Sequence, residues 1–154
     1  MIDIINLAKA PEHIPQIAAW HQAEWGYLNP GGTVETRIER MKRYLSGAKI
    51  PAMYIAVDGS ALLGTAALVD SDMDSHPELS PWLASVFVNP DYRKRGVGAA
   101  LVKKVMEEAR IQGISPLYLF TPDQQRFYES LGWEFIAHEN YRGGNATLMK
   151  IHFK

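Results

Sequence analysis

The chain of 154 residues contains no cysteine. That excludes disulfides, a cysteine nucleophile and thiolate zinc sites, and it fits a reducing, cytoplasmic compartment. No run reaches the ~18 apolar residues that a membrane-spanning helix needs, so no membrane partner is expected. The opening MIDIINLAKAPEH lacks a basic stretch followed by an apolar one, so no signal peptide is expected. Charge of one sign is not in excess. The formal net charge of −1 argues against wholesale nucleic-acid binding. His13, His21, His138 and His152 have no ligand spacing among themselves, so no metal site is expected. Repeats, low-complexity tracts and linkers are also lacking, and residues 1–154 read as one domain large enough to bury a core.

What is present alternates between two periodicities. Ile2–Leu7 reads as a strand. Pro11 opens a helix to about Trp25, with Ile14, Ile17, Ala18 and His21 on one face. Tyr27–Gly32 is a turn-rich loop. Thr33 caps a second helix running to Leu45, with Val34, Ile38, Met41 and Leu45 at helical spacing. Met53–Val57 and Leu62–Val69 are strands joined through Asp58-Gly59. A polar loop over residues 70–81 leads to a strand at Trp82–Val88. Gly96–Gln112 is a helix with Val97, Leu101, Val105 and Ala109 inward, stopped by Gly113. Leu117–Phe120 is a strand. Thr121, Pro122 and Gln124 predict a helix capped at Thr121. Trp133–Ala137 and Thr147–Phe153 are closing strands around Gly143-Gly144. The order β-α-α-β-β-β-α-β-α-β-β predicts an α/β protein of α+β type, a mixed sheet covered by helices.

The densest signal is Val86–Leu101, VFVNPDYRKRGVGAAL. An apolar run ends at Asn89-Pro90, three cations follow, and two glycines stand at the mouth of a helix. Glycine allows close backbone approach, and a helix N-terminus offers free N–H groups and partial positive charge. Together they make a phosphate site. A Walker loop is excluded because no glycine pair is followed by Lys-Ser or Lys-Thr. A dinucleotide fingerprint fails because Leu101 stands where its third glycine or alanine belongs. A second stretch, Pro116–Trp133, runs a strand into Thr121-Pro122 and then Phe127-Tyr128-Glu129-Ser130-Leu131-Gly132-Trp133.

These two stretches resemble the GNAT N-acetyltransferases. Arg93-Lys94-Arg95-Gly96-Val97-Gly98 is similar to their R/Q-x-x-G-x-G/A pyrophosphate motif, and Phe127–Trp133 to their FYxxLGF/Y/W segment. The likeness is specific over about residues 82–137. It implies a mostly antiparallel central sheet flanked by helices, and an enzyme moving the acetyl group of acetyl-CoA to a primary amine by direct attack in a ternary complex. It implies acetyl-CoA as co-substrate and no metal. It puts the pyrophosphate on the backbone of Arg95–Ala99 with the Arg93 and Arg95 side chains beside it, and the cofactor site on Val86, Phe87, Val88, Arg93, Lys94, Arg95, Gly96, Val97, Gly98 and Ala99. Tyr128 falls where a tyrosine protonates the departing thiolate, a role a phenol can fill at neutral pH. A non-catalytic acyl-CoA-binding module of the same fold is the alternative.

The general base is open at this level. Where many family members carry a glutamate on the fourth strand, this chain has Trp82. Asp72, Asp74, His76 and Glu78 are nearby candidates, as are a water chain or an already neutral amine. The loop Asp70–Glu78 carries four acids and no Lys or Arg. It fails as a calcium loop, with Ser75 at the sixth position and Pro81 at the twelfth. It reads as a solvated loop, or as an attractor of cationic acceptors. Trp20, Trp25 and Tyr27 offer an acceptor wall or ordinary core. The acceptor is a small-molecule or peptide amine, and the assembly a monomer or homodimer.

Overall fold

A computed structural model describes residues 1–153. The elements are β1 Asp3–Asn6, α1 Ile14–Trp25, α2 Val34–Met41, β2 Ala52–Asp58, β3 Ala61–Val69, β4 Trp82–Val88, α3 Val97–Ile111, β5 Leu117–Thr121, α4 Gln125–Ser130, β6 Glu134–Tyr141 and β7 Gly144–Ile151. The seven strands form one sheet in the order β1-β2-β3-β4-β5-β7-β6. Every neighbouring pair is antiparallel except β4 and β5. The order of helices and strands is the one the periodicities predict.

Two cores lie on the two faces of this sheet. On one, Ile14, Ile17 and Ala18 of α1 and Met41 of α2 pack with Met53, Ile55 and Val57. On the other, Val97, Leu101, Val105 and Ala109 of α3 pack with Ala52, Tyr54 and Ala56. Alternate residues of β2 thus feed opposite cores, as a period of two demands. Because both faces are covered, β2 is an unbroken apolar run rather than an alternating one.

Three local expectations need correction. Leu45 is exposed, and Tyr44 is buried in its place. The chain tightens to a 3₁₀ turn at Lys42–Leu45, so the residue three beyond Met41 keeps its face and the fourth rotates away. The β2–β3 hairpin turns on Gly59 and Ser60, with Asp58 paired to Ala61. Gly59 sits at φ +61, which glycine adopts without strain. Thr121 does not begin a helix. It ends β5, paired with Thr147, because a residue before proline is driven to extended backbone. Its Oγ1 still accepts the Gln124 N–H at 3.1 Å, and α4 starts only at Gln125.

Candidate active site

The site is a gap in the sheet. β4 and β5 register only at Trp82 and Tyr118, with the Tyr118 N–H donating to the Pro81 carbonyl at 3.1 Å. Beyond that pair the strands part. β4 follows β3, through Thr65 opposite Phe87 and Gly64 opposite Val88, whereas β5 follows β7. A bulge drives the separation. Ala67 pairs with Ala84 and Thr65 with Phe87, so Ser85 and Val86 together oppose one residue of β3. Ser85 takes φ +55, and such bulges bend and twist a strand. Gly64 permits the close approach. A Cβ there would stand 2.5 Å from the Phe87 carbonyl oxygen.

A buried polar chain fixes the bulge. The Thr65 hydroxyl donates to the Ser85 carbonyl at 2.8 Å, and His21 Nε2 lies 2.9 Å from the Thr65 hydroxyl oxygen. Since the hydroxyl proton is committed to Ser85, His21 must donate from Nε2. His21 is buried against Trp25 and Phe87, and its pKa falls to about 3, first through burial and second through the Arg37 charge. The imidazole is therefore neutral at any ordinary pH. Thr65→Val keeps the shape and orphans both partners. We expect it to cost about 1–3 kcal/mol and to lower the melting temperature by several degrees, with Thr65→Ser restoring it. An unchanged melting temperature in Thr65→Val would mean that the bulge holds itself.

The opening holds a cavity of about 890 Å³ with walls from both faces of the sheet. On the α3 side it meets Val86, Phe87, Val88, Arg93, Lys94, Gly96, Val97, Gly98 and Ala99, together with Tyr128. Gly96 stands at φ +78 as the residue before α3 and provides no side-chain cap. The first helical bond runs from the Ala100 N–H to the Gly96 carbonyl, which leaves the N–H groups of Val97, Gly98 and Ala99 without helical partners. Arg93 is braced by donating Nε to the Val88 carbonyl at 3.1 Å, with its guanidinium 5.7 Å from the Phe87 ring. Arg95 does not line the cavity; its guanidinium lies 5.4 Å from the Tyr92 ring.

Tyr128 is 7% exposed, yet it lines the cavity. Burial, and then the Asp123 charge, hold its pKa above the ordinary phenol value. It therefore stays protonated, a donor and not a base. Trp82 is fully buried, with its indole N–H donating to the Leu79 carbonyl at 2.8 Å. The strand position where many family members carry a glutamate is thus core here.

On the other side the walls include Trp25, Tyr27, Arg37, Arg40, Asp72 and Arg142. Trp20 is not among them and packs on Phe87 at 5.3 Å, so the three aromatics divide between wall and core. The loop over residues 70–81 is neither a free solvated chain nor a uniform acidic surface. Asp74 is bound by Arg142 and by the Tyr141 hydroxyl. His76 Nε2 is 2.7 Å from Glu139, and its Nδ1 is 3.2 Å from Glu78. Of the loop acids only Asp72 lines the cavity. Burial raises its pKa to about 7 against the opposing pull of Arg43. Among the described residues no group of three His, Asp or Glu side chains converges as a metal site. No helix there is long and apolar enough to cross a membrane.

Arg37, Arg40, Arg142 and the His21–Thr65 pair are absent from the sequence-based set. Arg37 and Arg40 are spaced like any solvated helix face, and nothing in a linear reading separates them from one.

Comparison with known proteins agrees with this geometry. Solved structures share the whole fold at low identity. An aminoglycoside 6′-N-acetyltransferase complexed with coenzyme A superposes with TM-score 0.76 at 16% identity, covering 99% of this chain and 96% of that one. The protein yncA of Salmonella typhimurium, whose structure contains its cofactor acetyl-CoA, gives 0.74 at 17% identity over 99% and 94%. An amino-acid acetyltransferase of Ectopseudomonas mendocina (strain ymp) is 33% identical over 66 residues, 43% of this chain. That stretch is only 15% of the relative's own length. An acetyltransferase (GNAT) domain model matches residues 50–135, from just before β2 into β6. The matched span contains the bulged strand, the glycine turn and the tyrosine that together wall the cleft, and on it the chain belongs to the GNAT family of acetyltransferases.

Proposed function

We propose that residues 1–154 act as one N-acetyltransferase domain, transferring the acetyl group of acetyl-CoA to a primary amine by direct attack in a ternary complex. The observation that carries this reading is the cleft itself: one cavity is lined by Val97, Gly98 and Ala99, whose N–H groups lack helical partners, and by Tyr128 and Asp72. The pyrophosphate belongs on Val97, Gly98 and Ala99, where helix dipole and open donors favour an anion. Lys94 and Arg93 line the same wall, and Arg95, outside the lining, contributes long-range charge only. The parted edge of β4 at Val86, Phe87 and Val88 lacks a β5 partner, which leaves backbone groups for the pantetheine amides.

The thioester supplies an activated acetyl group. The protein holds it beside the amine, removes a proton from the amine and returns one to the sulfur. Tyr128 is suited to the second task because it stays protonated. Asp72 is suited to the first. It is the loop acid in the cavity, and its pKa near 7 balances basicity against availability.

Asp72 carries a pH prediction. Its carboxylate form grows as pH rises through about 7, so kcat/KM should climb over that interval. Asp72→Asn should flatten that limb and lower kcat/KM by roughly 10²-fold or more. The stability sign is opposite. A carboxyl with a raised folded pKa stabilises most below its unfolded pKa, and that contribution is lost as pH rises through 7. Asp72→Asn should therefore not lower the melting temperature above pH 7. An unchanged profile near pH 7 in the variant would remove Asp72 from the reaction.

The reading itself is tested with acetyl-CoA and a panel of amines, following released thiol. Tight acetyl-CoA binding without turnover of any amine would favour the non-catalytic binding module instead.

A further inference from the structure

The acceptor wall holds positive charge that the protein does not neutralise. Arg37 and Arg40 lie one helical turn apart on α2, and both line the cavity. Neither forms a salt bridge among the described residues. The acids in the same cavity half, Glu24 of α1 and Asp72 of the loop, are each more than 4.0 Å from both guanidinium groups. Arg37 is also oriented. Its Nε donates to Gln22 Oε1 at 3.3 Å, and the Gln22 amide is in turn tied to the Gly32 carbonyl at 3.1 Å. That leaves the terminal guanidinium nitrogens of a half-buried Arg37 without protein partners. Burial, and then the Arg40 charge, push the Arg37 pKa below its usual value, so the pair is mutually unfavourable in the empty protein. An oriented guanidinium fork on Arg37, with the like-charged Arg40 one turn away, suits a planar anion that each can grip with paired hydrogen bonds.

We infer that the acceptor is a small amine carrying a carboxylate, held with its carboxylate on Arg37 and Arg40 and its amine toward Asp72 and Tyr128. This rests on the acetyl-transfer reading. It replaces the expectation that an acidic loop selects cations, because Asp74 and Glu78 are already engaged by Arg142 and His76. A polycation would have to approach two unpaired arginines, which selects against it. A zwitterion matches both signs of the wall.

The test uses alanine, phenylalanine and lysine, each beside its carboxamide and its decarboxylated amine. In acetyl transfer, kcat/KM should favour the carboxylate form by roughly 10–100-fold, the range for losing a charged hydrogen bond. Arg37→Gln and, separately, Arg40→Gln should shrink that ratio toward one, chiefly through KM. Arg40 is exposed, so its variant keeps the test alive where Arg37→Gln misfolds. Arg37→Lys, which keeps charge but loses the fork, should recover part of the ratio. Equal or better turnover of the decarboxylated amines, or a ratio unaltered in both variants, overturns the inference and leaves acetyl transfer standing. Calorimetric titration of the same compounds into the protein with CoA separates the two readings. Arginine-dependent binding of the carboxylate forms without transfer would sustain the anion site and sink the enzymatic reading. No arginine-dependent binding and no transfer would sink both.

Discussion

Gly98→Val should weaken acetyl-CoA binding by about two orders of magnitude or more while the protein stays folded. The N–H groups of Val97, Gly98 and Ala99 point from the start of α3 without helical partners. Hydrogen bonds to a charged group contribute about 1.5–3 kcal/mol each, so losing two of them is a change of at least roughly 10²-fold. A Cβ at Gly98 would meet Val88 Cγ2 at 3.4 Å and Phe127 Cζ at 3.8 Å, ordinary contacts on the cleft lining. The two further methyls of valine are expected to take up cleft space beside these N–H groups, where the pyrophosphate is proposed to sit. Gly96→Val blocks the same approach but adds strain, because Gly96 sits at φ +78, where a β-branched residue is strongly disfavoured. Gly98→Val is therefore the cleaner variant. Calorimetry with acetyl-CoA, beside thermal unfolding, reads both quantities. Undiminished affinity in a folded Gly98→Val protein would move the pyrophosphate off this turn.

Tyr128→Phe should lower kcat by on the order of 10²-fold, the low end for loss of a positioned acid. A CoA thiol leaves partly unaided, which keeps the effect from the upper end. The ring remains to fill its place against Phe127 and Trp133, whose centroids lie 5.0 and 6.1 Å away. Melting temperature and acetyl-CoA affinity should hardly move, because the hydroxyl acts mainly in the transition state. In wild type the phenol stays protonated across the working range, since burial and Asp123 hold its pKa up. No activity loss from its ionisation is expected on the alkaline side. Coincident pH–kcat profiles for wild type and variant, with chemistry shown to be rate-limiting, would make Tyr128 a packing residue.

The predictions on Gly98, Tyr128 and Asp72 rest on residues already singled out in the chain, whereas those on Arg37, Arg40 and Thr65 do not. Val86–Ala99 is a single strand–turn–helix unit, so its glycines, cations and free N–H groups are brought together by local geometry alone. The inward faces of α1 and α3 were equally legible, since Ile14, Ile17, Leu101 and Val105 follow the helical period and are all buried. Errors fell where two local rules competed. The extended preference before Pro122 overrode the cap at Thr121, and a 3₁₀ turn exchanged Tyr44 for Leu45.

The amino-acid sequence by itself determined the order of elements, the family resemblance and the glycine turn before α3 proposed to hold the pyrophosphate, because each depends on neighbours within a few residues. Only the tertiary structure decided the rest. The bulge at Ser85 is held by Thr65 and His21, 20 and 44 residues apart along the successive links of that hydrogen-bonded chain. The cavity wall opposite α3 gathers α1, α2, the loop over residues 70–81 and the β6–β7 turn. Asp74 loses its free charge to Arg142, 68 residues away, while Asp72, two residues earlier, is driven up to a pKa near 7 by burial. A linear reading gives those two carboxylates the same chemistry. Which of them is paired and which desolvated depends on partners that only the folded sheet brings into reach.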